Sequence, residues 1–174
     1  MTTTPTRARP LVALAAATIA ALALTGCIRP PFVPSAGPDE TRDHEVSAAV
    51  HALHLESAAD VDIELGDEPG LVVRGPASAL DRLTIEEHDG ALVIGSRGAG
   101  LSLRGVRVTL TLVALDEIVI SGAGDVDAVL TRPGDLVIRV DGAGDVDVDG
   151  IDAEQVEVVI AGAGDVELTG RATS

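Results

Sequence analysis

The sequence has no Trp, no Tyr and no Lys, and Phe32 is its only aromatic residue, although 46% of the 174 residues are hydrophobic. Without aromatic rings there is no platform on which sugars or unstacked bases can stack. With a formal charge of −16 the chain also repels the phosphates on which nucleic-acid affinity depends. Nucleic acid is therefore excluded as a partner. Cysteine is as scarce: Cys27 stands alone, so no intramolecular disulfide can hold the fold together. A core without rings must be assembled from Val, Ile, Leu and Ala, which suits thin, repeating layers of similar aliphatic side chains.

The amino terminus reads as an address. Arg7 and Arg9 precede an uncharged, Ala/Leu-rich run from Leu11 to Leu24, the charged n-region and short apolar h-region of a secretory signal. The run is shorter than the roughly 20 apolar residues that a membrane helix needs. It ends in Leu24-Thr25-Gly26-Cys27, which resembles the lipobox of bacterial lipoproteins. That resemblance implies that residues 1–26 are removed, that Cys27 carries diacylglycerol, and that the mature protein is anchored to a membrane facing away from the cytoplasm. An ordinary signal peptide or an uncleaved anchor are the alternatives. Cleavage would remove two Arg and no acid, giving ten cations against 28 acids and a mature charge of 10 − 28 = −18. Pro30, Pro31, Pro34 and Pro38 make residues 27–43 a semi-rigid tether, and residues 44–174 are the domain proper.

A period of twenty residues organises the second half of that domain. Gly122-Ala123-Gly124-Asp125-Val126 recurs as Gly142-Ala143-Gly144-Asp145-Val146 and again as Gly162-Ala163-Gly164-Asp165-Val166. Aliphatic residues keep the same register: Ile118, Ile138 and Val158; Ile120, Val140 and Ile160; Val126, Val146 and Val166; Ala128, Val148 and Leu168. Within each row they alternate with polar residues, the period of two of a strand with one buried face. Strand, Gly-rich corner, strand and loop, repeated, predict an all-β, right-handed parallel β-solenoid with coils of about 20 residues and one short helix. The corner glycines, Gly122, Gly124, Gly142, Gly144, Gly162 and Gly164, are required either by positive φ or by close approach of the neighbouring coil.

Residues 45–110 are less regular. Ser57-Ala58-Ala59-Asp60-Val61-Asp62 reads as a worn copy of the corner, and Arg97-Gly98-Ala99-Gly100-Leu101 as another. Pro76 to Arg82 suit a short helix, and Asp89-Gly90 between Leu83-Ile85 and Leu92-Ile94 signals a hairpin. The Gly-Ala-Gly-Asp-Val repeats, Val106, Val108 and Leu110, the Leu115–Ile120 segment and the Leu71–Ile94 stretch together resemble the putative auto-transporter adhesin, head GIN domain family. The resemblance spans about residues 46–170. It implies an exported bacterial protein with a β-solenoid-like binding domain and brings no catalytic residue with it.

Chemistry is concentrated in carboxylates. Asp125, Asp145 and Asp165 are expected to form one outward ladder, with Asp127, Asp147 and Glu167 beside it. Such a set offers the oxygens that Ca²⁺ takes, although the spacing departs from the nonapeptide calcium repeat. Solvated or turn-capping aspartates are the other reading, and no cofactor beyond weakly bound Ca²⁺ is expected. His51 and His54 form an HxxH that would suit zinc on a helix but points to opposite faces of a strand. Paired Asp residues on neighbouring coils could also serve a polysaccharide lyase or hydrolase, but identical repetition argues against an active site. The resulting expectation is a lipid-anchored cell-envelope protein with a non-catalytic, adhesin-like binding or scaffold domain. Its partner would be an envelope protein or glycan, and it could associate with itself through uncapped ends.

Overall fold

The alternation of β-branched residues with acids is realised as strands almost throughout. The computed structural model describes residues 38–98, 103, 105–132 and 134–173. The signal-like run, Cys27, most of the tether, and Ala99 to Leu101 of the second worn corner lie outside the described residues. The strands are β1 (Asp39–His44), β2 (Ala52–Leu55), β3 (Asp60–Leu65), β4 (Gly70–Pro76), β5 (Leu83–His88), β6 (Ala91–Ser96), β7 (Arg107–Leu112), β8 (Glu117–Ile120), β9 (Val126–Val129), β10 (Leu136–Val140), β11 (Val146–Ala153), β12 (Val156–Ile160) and β13 (Val166–Ala172). One short helix, α1 (Ala77–Leu80), follows Pro76, whose fixed φ of −59° starts it at the N-cap.

The strands form a seven-stranded sheet ordered β1-β4-β7-β3-β9-β11-β13 and a six-stranded sheet ordered β12-β10-β8-β2-β6-β5. Inward side chains of both sheets merge into one hydrophobic cluster running from Val46 to Ala153. The repeat columns are real neighbours: Ile118, Ile138 and Val158 are in parallel register, as are Val126, Val146 and Val166. Ile118, Ile120, Ile138, Val140 and Val148 have no solvent exposure.

This architecture overturns the expectation of a right-handed parallel β-solenoid. The protein has two mixed sheets, and their strand order does not follow the chain. β2 and β3 lie in the middle, β6 and β7 flank them on one side, and the chain then crosses back so that β8 and β9 pair on the other. Three pairings, β1 with β4, β4 with β7 and β5 with β6, are antiparallel. The reversal between β5 and β6 has a local cause. Asp89 and Gly90 adopt φ of 49° and 83°, the two successive positive values of a tight hairpin turn, and Asp-Gly accepts them at little cost. Regular winding cannot continue through such a reversal.

The corners settle why glycine recurs. None of the six corner glycines has positive φ. Instead, a Cβ on Gly142 would overlap the carbonyl oxygen of Gly122, and one on Gly162 that of Gly142; Gly144 and Gly164 stand over Gly124 and Gly144 in the same way. Gly122 and Gly124 rest on Ser57 and Ala59, so the worn corner is the row beneath the first perfect one. Backbone hydrogen bonds from Ala123 to Ser57, Ala143 to Gly122 and Ala163 to Gly142, at 2.9–3.0 Å, draw the rows together. Close approach, rather than backbone conformation, makes the glycines necessary.

Candidate functional site

Because inward positions of β3, β9, β11 and β13 are aliphatic, the alternate positions all emerge on the outer face of the larger sheet. Asp62, Asp127, Asp147 and Glu167 are directly in register across the four strands. Asp125, Asp145 and Asp165 precede the same strands and form the second row. The structure therefore brings together all six carboxylates singled out from the repeat, and it adds Asp60 and Asp62. The worn corner carried that signal, since its Asp-Val-Asp matches Asp125-Val126-Asp127. Arg107 on β7 ends the rows, with its guanidinium 4.0 Å from Asp60 and 3.8 Å from Asp62.

The two rows differ in what their carboxylates do. Asp125 accepts a hydrogen bond from the backbone N–H of Asp145 at 2.9 Å, and Asp145 accepts one from Asp165 at 2.8 Å. Each acid thus ties down the corner of the next row, satisfying a backbone donor that the turn leaves without a strand partner. Asp135 repeats the device at the other end of the row, accepting from the amides of Glu154 and Gln155. Asp127 belongs to the freer row. Its carboxyl is held above the usual carboxylate range, first by partial burial and then by the charges of Asp62, Asp147 and Asp125, while Arg107 opposes the shift. A shallow depression of about 650 Å³ runs along this face beside Asp127, Asp147 and Glu167.

Among the described residues no group of three or more His, Cys, Asp or Glu side chains converges as a metal site. For Ca²⁺, the row of Asp125 and Asp145 already directs an oxygen at the backbone. His51 and His54 diverge: the His51 ring packs over Gly90 and bonds the carbonyl of Ala49, whereas His54 on β2 lies 3.6 Å from Glu117.

A second feature carried no sequence signal. A cleft of about 560 Å³ lies where Arg42 and His44 of β1, Asp81 after α1, Glu86 of β5 and Arg97 meet over Leu80 and Leu83. Arg42 bridges Asp81 at 2.8 Å and Glu40 at 3.0 Å, and these two bonds, that to Asp81 foremost, make its guanidinium still harder to deprotonate. Arg42 and Asp81 are 39 residues apart, so only the fold reveals the pair.

The fold and surface define a class: a two-sheet, repeat-built all-β domain with rows of carboxylates on one outer face, of which Asp125, Asp135 and Asp145 tie successive rows together. More particularly, the chain belongs to the putative auto-transporter adhesin, head GIN domain family, whose model matches residues 50–174. Among solved structures it resembles a putative adhesin from Parabacteroides distasonis, with 18% identity, a TM-score of 0.55, and coverage of 78% of this chain and 67% of that one. A putative lipid binding protein from the same organism gives 18% identity and a TM-score of 0.52 over 78% of this chain and 76% of that one. These likenesses concern the fold alone. No curated protein matches the sequence.

Proposed function

We propose that this adhesin-family domain is the head of an exported, lipid-anchored envelope protein that works by binding or scaffolding and performs no catalysis. The observation that carries the reading is the use made of the acids. Asp125 and Asp145, the residues best placed by repetition to act as an acid–base pair, are hydrogen-bonded to the amides of Asp145 and Asp165. Glycoside chemistry needs two carboxylates in contrasting environments, one protonated and one ionised. Asp125 and Asp145 sit in equivalent surroundings one row apart. The lipobox-like Leu24-Thr25-Gly26-Cys27 supplies the anchor, and two acyl chains make a stable one. Envelope proteins or glycans are the partners that such an exposed head would meet.

Expression of the full chain in a bacterial host with labelled palmitate tests the anchor. Label is expected on the wild type, and Cys27→Ser is expected to lose it and leave the membrane fraction; label retained by Cys27→Ser refutes lipidation at that residue. Screening against acidic and neutral polysaccharides tests the absence of catalysis. No new chain ends should form, and depolymerisation that disappears in Asp145→Ala would overturn the non-catalytic reading. Millimolar Ca²⁺ should shift the melting temperature no more than matched ionic strength does; a larger shift would make the head a calcium-dependent protein.

A further inference from the structure

The stack of strands has two ends, and among the described residues one is closed and the other is not. At the first, the edge strands are β1 and β5. β1 reads Asp-Glu-Thr-Arg-Asp-His, a charged edge that discourages pairing, and α1 buries Ala79 and Leu80 beside it. At the second, the edges are β12 and β13, and positions buried in the interior rows lie open. Val158 is 39% exposed, Ile160 49% and Leu168 37%, whereas Ile138, Val140 and Val148 in the same columns are at 0%. The carboxylate ladder shows the same asymmetry: Asp125 and Asp145 each receive an amide from the following row, and among the described residues none donates to Asp165.

We propose that the β12–β13 end pairs with the same end of a second copy of this chain, giving a two-fold, head-to-head dimer in which both sheets continue across the interface. The charged, roofed β1–β5 end offers no complementary face, so head-to-tail growth is blocked and the contact closes on itself. Charge permits pairing at this end: β12 and β13 carry Glu157, Glu167 and Arg171, so the one cation can face an acid of the other copy. A two-fold axis makes β13 antiparallel to its mate. With the axis at Thr169, Glu167 of each copy lies directly opposite Arg171 of the other. Both side chains are on the outer face, because their neighbours on β11 in register, Asp147 and Asp152, are exposed while Val148 and Ile151 are buried. The same pairing covers Val158, Ile160 and Leu168. Strands of five and seven residues, in sheets about 10 Å apart, give an end face roughly 20 Å on a side that buries on the order of 1,000 Å² in total, the lower limit for a specific interface.

The test uses the full chain with Cys27→Ser, in detergent so that association through the apolar amino-terminal run is suppressed. Thr169→Cys places a thiol on the axis, and mild oxidation at micromolar protein should link most chains into dimers. Asp43→Cys, on the closed end, should remain monomeric. Glu167→Arg or Arg171→Glu, each added to Thr169→Cys, should lower cross-linking at least tenfold, and mixing the two variants should restore it through mixed dimers. These positions are exposed, and unchanged circular dichroism will show that the fold is intact. Failure of Thr169→Cys to cross-link, equal cross-linking of Asp43→Cys, or no recovery on mixing each overturns the proposal. So does a monomer whose β12 and β13 amides resist exchange, because a segment of its own chain would then cover the end.

Discussion

The two halves of the domain reach the same kind of strand by different routes. From Glu117 onward, each row is the previous one displaced by twenty residues, pairing is parallel, and one set of local rules repeats three times. Between Asp39 and Leu112 the chain doubles back in antiparallel pairs, inserts α1, and places β6 and β7 on the far side of β2 and β3. In the regular half one residue type is demanded by the row beneath it, so sequence repetition and structural repetition coincide. In the irregular half each contact is made once, and neighbours in space are far apart in sequence. Arg132 shows the two halves being joined: its guanidinium donates to the carbonyl of Val113 at 2.9 Å and pairs with Asp67 after β3.

The contrast can be broken most severely at a corner. Gly142→Ala is expected to cost more than about 3 kcal/mol, in the class of strained or overpacked sites, since its methyl would overlap the Gly122 carbonyl with rows on both sides. Gly162→Ala should cost less, because no described row packs on its far side and its row can lift outward. Gly70→Ala on β4, where a Cβ meets nothing within 4 Å, should change stability by under about 1 kcal/mol. Equal effects at positions 142 and 70 in chemical denaturation would show that close row approach is not what selects glycine.

A middle-sized effect separates interior rows from the last one. Ile138→Ala removes a side chain with 0% exposure and should cost about 2–5 kcal/mol. Val158→Ala, one row later in the same column and 39% exposed, should cost under about 1 kcal/mol at protein concentrations low enough to keep chains apart. If the two losses are similar, the last row is buried in solution.

The smallest effect tests the acidic face. Burial and the neighbouring acids raise the Asp127 pKa above its unfolded value. Its contribution is therefore most favourable below the ordinary carboxylate pKa and is lost as pH rises through the raised one. Asp127→Asn should raise the melting temperature by about 1 °C at pH 7, the effect of a few tenths of a kcal/mol in a domain this size. The gain should vanish below about pH 4, the ordinary carboxylate range. A stabilisation that persists in acid would mean that charge is not the cause.

Much of the regular half was legible because its reasons are local or strictly periodic. The Gly-Ala-Gly-Asp-Val repeat predicted the columns, their parallel register and the outward acids; the stretch at Ser57 was recognisable as a worn corner, but only the fold puts it beneath Gly122. Asp89-Gly90 announced its hairpin and Pro76 its helix. The solenoid reading failed because periodicity within 111–170 was extended to a segment whose turns reverse the chain. Nothing in Val72 or Leu71 says that β4 will run antiparallel to both β1 and β7, since alternation looks the same in either direction. The Arg42–Asp81 pair and its cleft escaped for the same reason.

The sequence by itself determined that this is an aromatic-free, strand-built domain with aliphatic layers and acidic rows, because period and residue type act through each strand's own geometry. It also determined that glycine must hold the corners, through repetition alone. Only the tertiary structure decided that the glycines answer to a neighbouring carbonyl rather than to φ. Only there do Asp125 and Asp145 turn out to hold backbone amides, and only there is one end of the described sheets closed and the other open. Those outcomes depend on which strands lie side by side, and strand order is a matter of long-range packing that no local pattern encodes.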